Sequence, residues 1–358
     1  MLIFCSFFIF KQDEIDLIHA ICSDAGWTTS SITDPSTRFR FSANGMAEFS
    51  QASALSSCPA LQEGQEHGQL LLFATEKDDA ENIIELIRAS LLMLVGFPDR
   101  FGLDGASFLI PDDPIERESI FQNVFRTDGY FQKFIWREEL VAAVAIAAKA
   151  WSDSKLVYAI HKLAHSISTE SVSPHSMHPQ HGQIFEKHSC EFSSHVGTSV
   201  AVNLAYSAIE ELGLGIPSSR ENPRWIKGST YEWNPKVLKK IEKRLLDANI
   251  GPNRTIDWIL RGDETEVKPE PVRNSLTNYS DGQRVRDVEL SLPDAINSCE
   301  CLRNCLTAHA FKSDTALLGP YEVFNCQQVA RFLILSKCQL FNVWTEELRA
   351  RFLPQFTT

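Results

Sequence analysis

Arg303, Asn304 and His309 lie within the stretch Leu292 to Ala310, LPDAINSCECLRNCLTAHA, and their types suit the cleavage of RNA. RNA carries its own nucleophile, the 2′-hydroxyl. A histidine titrating near neutral pH can take that proton or protonate the departing 5′ oxygen, and a guanidinium can hold the phosphate and the charge that builds on it. Asn304 adds a neutral donor.

The element that must position them is legible in the same stretch. Ala295, Cys299, Leu302 and Leu306 recur at three- and four-residue steps, which predicts one buried helix face, and Pro293-Asp294 suit a first helical turn. On an ideal helix, six residues at about 100° each leave Arg303 and His309 roughly 120° apart. Three arrangements close that gap: the long Arg side chain bends round, the helix is distorted near His309, or a second copy of the chain completes the site, as in a symmetric dimer. The plainer alternative is a surface Arg and a helix-end His.

Written out, the segment is Arg-Asn, four residues, His, and it resembles the motif of the HEPN superfamily of helical ribonucleases and nucleotide-binding proteins: Arg, a polar residue, four to six residues, His. A long helix with a Tyr and paired acids (AVNLAYSAIEELGL) precedes it and a helix (NCQQVARFLIL) follows it, so the resemblance covers the last two thirds of the chain. It implies a metal-independent endoribonuclease with Arg303, Asn304 and His309 as catalytic residues, no cofactor, and RNA as partner. It also implies a homodimer whose two copies line a shared cleft, and a toxin or antiviral phage-defence role. The alternative is a non-catalytic HEPN-like module that uses the same cleft for a nucleotide or partner.

The predicted fold class is α+β, with an N-terminal mixed α/β domain over residues 1–130 followed by an all-α HEPN-like helical bundle over 131–358. In the first domain, strands are expected at Leu2 to Phe10, Thr37 to Ser42 and Gln69 to Ala74, with a helix from near Asp13. The unit GQLLLFATEKDDAENIIELIRASLLMLVG reads as a strand, an acidic first turn and a helix facing inward through Ile83, Ile84, Ile87, Leu91, Leu92 and Val95. No GxGxxG or GKS/GKT loop is present, and the pairs Asp78-Asp79 and Asp112-Asp113 fit solvated turn acids. This domain is expected to recognise or regulate, through a partner or ligand. The proline-bearing IPDDPIERESIF marks the linker region.

From Arg137 the pattern is helical: Arg137 to Trp151, then Lys155 to about Thr169 with Leu156, Ala159, Ile160, Leu163 and Ile167 as its buried stripe. His161 and His165 stand four apart on that helix, and His175, His178, His181, His188 and His195 follow closely. A polar connecting loop is the expectation, with zinc binding and RNA contact as alternatives, since the spacings match no zinc pattern. The helix Val196 to Leu214 is expected to run Val200, Leu204, Ser207/Ala208 and Glu211 along one line, with Tyr206, Glu210 and Glu211 as supporting site residues.

Arg220 to Arg244 holds eight basic and three acidic residues and interleaves Trp225, Tyr231 and Trp233. Lys236, Lys239, Lys240 and Lys243 face outward opposite Val237, Leu238, Ile241 and Leu245, which makes them either RNA-binding residues or a solvated face. Gly262 to Gly282 is expected to be a loop, and Phe324 to Lys337 a closing helix with Val329, Phe332, Leu333 and Leu335 as its apolar surface.

Composition bounds these readings. With 358 residues and 44% hydrophobic content the chain can bury a sizeable core, and its net charge of −12 argues against a general nucleic-acid coater while leaving room for a local basic patch. Nine scattered cysteines fit a reducing cytoplasm, and Cys299, Cys301 and Cys305 lack the second ligand pair a metal knuckle brings. They are expected to be buried helix cysteines. The apolar MLIFCSFFIF is too short for a span and is followed by no cleavage site; VAAVAIAAKAW is interrupted by Lys149. A cytoplasmic protein without membrane contact is the expectation.

Overall fold

The computed structural model describes residues 2–11, 20, 22–32, 67–74, 77–95, 108–109, 137–169, 192–227, 231–260, 269–276, 286–304 and 318–339. These residues form an α+β structure that divides into two compact units, Met1–Leu91 with Asp99–Ser152, and Leu92–Pro98 with Asp153–Thr358.

The first unit holds strands β1 (Leu2–Lys11), β2 (Thr28–Ile32), β3 (His67–Ala74) and β4 (Phe108–Leu109). They join in the order β2-β3-β1-β4 with every pairing antiparallel. The strands expected at Leu2 to Phe10 and Gln69 to Ala74 are β1 and β3. Sequence pattern gave no sign of β2, because TTSSI has no apolar alternation and, at the sheet edge, takes its order from backbone pairing to β3. Helix α1 (Lys77–Val95) buries Ile83, Ile87 and Leu91 as expected, with Leu92 only half-buried. Helix α2 (Arg137–Ala150) lies against β1; its small side chains from Ala142 to Ala148 are all buried and Lys149 is exposed. Trp27 and Trp151 meet edge to face with centroids 5.6 Å apart.

In the second unit, α3 (Ser154–Thr169), α4 (Phe192–Glu211) and α8 (Pro320–Cys338) pack against one another. The stripe foreseen for α3 is buried. Around this group stand α5 (Pro235–Asp247), a pair of strands β5 (Thr255–Leu260) and β6 (Arg286–Ser291), α6 (Glu270–Leu276) and α7 (Leu292–Leu302). Ser166 Oγ donates to the Ala201 carbonyl at 2.7 Å and receives the Gln327 amide at 3.2 Å, so one hydroxyl joins all three central helices.

Four expectations are corrected here. The second unit is not all helix, since β5 and β6 pair antiparallel from Thr255↔Ser291 to Leu260↔Arg286. The alternation in TIDWIL that buries Ile256, Trp258 and Leu260 is short, and its partner strand is distant in sequence. Second, α6 occupies part of the stretch read as a loop, burying Val272 directly after Pro269 and Pro271, prolines that hide any periodicity. Third, the core side of α4 runs through Thr198, Ala201, Ala205, Ala208 and Ile209, whereas Val200 is exposed and Leu204 half-buried. Small residues on that side let α3 and α8 approach, and the larger Phe192, Val196 and Val200 are left outside.

Fourth, the closing helix expected at Phe324 to Lys337 is α8, with Val329, Phe332, Leu333 and Leu335 buried as expected, but it begins earlier, at Pro320, and is buried on its other faces as well. Every residue from Tyr321 to Ser336 is buried, including Glu322, Asn325, Gln327, Gln328 and Arg331. These polar groups conceal a core helix because their partners are internal. Glu322 accepts from the Gly319 N–H at 2.9 Å, and Asn325 both donates to and accepts from the Ile259 backbone at 2.9 Å, clamping β5. Arg331 donates to the Met93 carbonyl at 2.6 Å and to Gln328.

Candidate functional site

The motif residues stand at the end of α7, and the local sequence explains why that helix is fixed. Ser291 ends β6 and caps α7 at once: its hydroxyl accepts from the Asp294 N–H at 3.3 Å and donates to the Asp294 carboxylate at 2.7 Å. Such caps are typically worth about 1 kcal/mol. The other Asp294 oxygen accepts from the Trp233 indole at 2.8 Å. Ala295, Ile296, Cys299 and Leu302 are fully buried, three of them on the face read from sequence; Leu306 lies outside the described residues. Cys299 is buried as expected and burial pushes its thiol well up, with Cys326 of α8 beside it. Cys301 is half-buried, and Cys305 lies outside the described residues.

A second row of side chains runs beside this apolar face. Asn297, Glu300 and Asn304 follow at three- and four-residue steps, and Arg224 reaches all but the last of them directly. One Arg224 nitrogen donates to Asn297 and the other pairs with Glu300 Oε1 at 2.8 Å. The same Glu300 oxygen accepts from Asn304 Nδ2 at 3.1 Å, and Asn304 Oδ1 accepts from Arg303 Nη1 at 2.6 Å. Above the row, the Arg303 guanidinium lies 5.9 Å from the centroid of the Tyr206 ring on α4, within cation–π range. Arg303 and Asn304 themselves are half-buried and lie in a wider, π-helical turn.

Arg224 is held by a folded loop. Trp225 and Trp233 form an antiparallel bridge with their rings 4.7 Å apart, and Tyr231 meets Trp225 at 6.1 Å. The Asn234 N–H donates to the Arg224 carbonyl at 2.9 Å while its side chain caps α5 through the Lys236 N–H at 3.1 Å. The aromatics of the basic segment therefore pack on each other and on α7.

Electrostatics follow from burial. Burial pushes the Glu300 carboxyl above its ordinary value and Glu210 adds to this, while Arg224 and Asn304 pull it part of the way back. Its second oxygen is buried and has no hydrogen-bond partner among the described residues. Burial, Glu300 and Glu210 together raise the Tyr206 phenol far above its ordinary value, so it stays protonated.

The structure thus brings Arg303, Asn304 and Tyr206 together, with Glu210 exposed nearby and acting through its charge. Glu211 is elsewhere, paired with Lys162 of α3 at 2.5 Å. Lys236, Lys239, Lys240 and Lys243 are exposed on α5 opposite the buried Val237, Ile241 and Leu245, and Lys243 pairs with Asp247 at 2.7 Å. Leu238 is half-buried. His309, the strand expected at Thr37 to Ser42, the Asp112-Asp113 pair, the linker segment, and His175, His178, His181 and His188 lie outside the described residues. His161 is half-buried, His165 exposed and His195 buried. Among the described residues no group of three His, Cys, Asp or Glu could hold a metal ion, and no helix is long and apolar enough to cross a membrane.

Arg224, Asn297 and Glu300 are the site residues that sequence reasoning missed. The row Asn297, Glu300, Asn304 was a usable signal, being a polar stripe next to the apolar one. Nothing in the spacing of Arg224 pointed to α7. Comparison with family models, curated proteins and solved structures finds no significant match.

Proposed function

We propose that this chain is a metal-independent endoribonuclease of the HEPN type, in which Arg303, Asn304 and His309 cut RNA through attack by its own 2′-hydroxyl. The observation that carries this reading is the seating of Arg303 and Asn304 side by side at the end of a buried helix, tied to Glu300 and Arg224. Donors fixed in place before reaction stabilise developing phosphate charge far better than mobile ones. Because RNA supplies the nucleophile, the side chains need only move protons and hold charge.

In this assignment His309 transfers the proton, Arg303 holds the phosphate and Asn304 orients Arg303. Tyr206 supports the guanidinium from below and Glu210 adds negative charge nearby. The lysines of α5 follow the RNA backbone. A second copy of the chain completes the cleft, the HEPN-like domain spans residues 131–358, and the domain over residues 1–130 recognises or regulates. A toxin or defence role is consistent with such an activity.

One observation favours the second reading, a non-catalytic nucleotide- or partner-binding module. Glu300 is already paired with Arg224 and Glu211 with Lys162, so these two carboxylates serve as ion-pair partners and not as a second acid-base group. The two readings separate on substitution. With purified protein, RNA and excess chelator, Arg303→Ala and His309→Ala should each abolish cleavage while leaving the fold intact by circular dichroism. A folded His309→Ala protein that still cleaves RNA at the wild-type rate would sink the catalytic assignment.

A further inference from the structure

We propose that Glu300 is a positioning residue: anchored by Arg224, it fixes which way the Asn304 amide faces and thereby aims Arg303. The catalytic consequence rests on the ribonuclease reading above, but the positioning itself does not. An asparagine amide has a donating and an accepting end, and the two are nearly equal in shape. Glu300 Oε1 is a pure acceptor at 3.1 Å from Asn304 Nδ2, so the amide must present its nitrogen there and its oxygen to the other side. That oxygen then accepts from Arg303 Nη1 at 2.6 Å. Reversed, the amide would set oxygen against carboxylate and nitrogen against guanidinium, two repulsive contacts in place of two hydrogen bonds.

Glu300 can impose this only if it is itself immobile. Its side chain is 12% exposed, and Arg224 Nη2 grips the same oxygen at 2.8 Å from a loop closed by the Trp225 to Trp233 bridge. Arg224 also donates to Asn297, one turn earlier on α7, so two points of the helix are held by one guanidinium. Order therefore passes from the loop to Glu300, then Asn304, then Arg303. Charge-assisted bonds of this kind are shorter and stronger than neutral ones, which suits a part that must not move.

The test separates positioning from plain structural support. Glu300→Met removes the acceptor while keeping length, and Glu300→Gln returns an acceptor oxygen without the charge. Glu300→Met should lower kcat by about 10- to 100-fold with KM little changed, the order expected when a transition-state group is misplaced by an ångström or less. Glu300→Gln should recover part of the loss. In an Asn304→Ala background, neither change at Glu300 should lower kcat further, because its route to Arg303 is gone.

Losses that multiply with Asn304→Ala would overturn the proposal. Where Glu300→Met fails to fold, Arg224→Gln, altered on the half-buried loop, should show the same dependence on Asn304 in weaker form. If the wild-type chain cuts no RNA, the ribonuclease reading fails by itself, and the Asn304 side-chain amide resonance still decides this one. Identified by its loss in Asn304→Ala, it should shift in Glu300→Gln and Arg224→Gln; an unmoved resonance in both contradicts positioning.

Discussion

Glu300 and Asp153 show how differently two carboxylates can be used by one chain. Glu300 is buried beside the motif, where desolvation opposes its charge and Arg224 sustains it. Asp153 stands at the start of α3, accepting from the N–H groups of Lys155 at 3.0 Å and Leu156 at 3.3 Å and pairing with Lys337 of α8 at 3.1 Å. Burial raises its carboxyl, but Lys337 and those N–H groups more than offset this and leave it below the ordinary value. A carboxylate depressed in the folded state adds stability above its unfolded pKa, and that contribution is lost as pH falls through the folded pKa. Asp153→Asn keeps a capping oxygen and removes the charge. It should be less stable than wild type in neutral denaturant titrations, with the gap closing below the ordinary aspartate range; a gap that stays constant into acid contradicts the account. At this scale the sequence offered Arg303 and Asn304 through their spacing. Arg224 was hidden because its partners lie on another element, a fact no local pattern encodes.

Among the elements, α7 was the most legible, since a buried face at helical spacing and a Pro-Asp first turn leave a clear trace. Its neighbours were not. The strand β5 needs β6, which a long intervening segment separates from it, and α8 wears polar residues whose partners, such as the Ile259 backbone and Ser166, come from elsewhere in the fold. Helix α5 matches its pattern most directly, burying Val237, Ile241 and Leu245 and exposing its lysines. If those lysines steer RNA, Lys239→Glu with Lys240→Glu should weaken binding and flatten its salt dependence, because fewer counterions are released on binding. An unchanged slope of log affinity against log salt would make α5 an ordinary solvated helix.

For the molecule as a whole, the sequence announced an α+β composition, and the stretch it read as all helix carries a strand pair that its helical spacing did not announce. The roughly 120° between Arg303 and His309 on an ideal helix motivates a site shared by two copies. The π-helical turn at Arg303 and Asn304 bears on the same gap, because it already departs from ideal geometry. Mixing His309→Ala chains with Arg303→Ala chains distinguishes these. A site that takes His from one copy and Arg from the other should regain part of its cleavage in mixed dimers. Absent cleavage despite subunit exchange, verified by co-purification of two tags, contradicts a split site, and a fully active monomer by sedimentation removes the dimer requirement.

The central claim, that Arg303, Asn304 and His309 cut RNA by engaging its 2′-hydroxyl, is tested most directly by the ends of the products. An RNA oligonucleotide and its matched 2′-deoxy form are incubated with wild-type protein in excess chelator, and the fragments are identified by mass. The account predicts that only the RNA is cut and that its upstream fragments carry 2′,3′-cyclic phosphate or its hydrolysis product. Equal cleavage of the 2′-deoxy form, or RNA cleavage that stops on chelation, contradicts it.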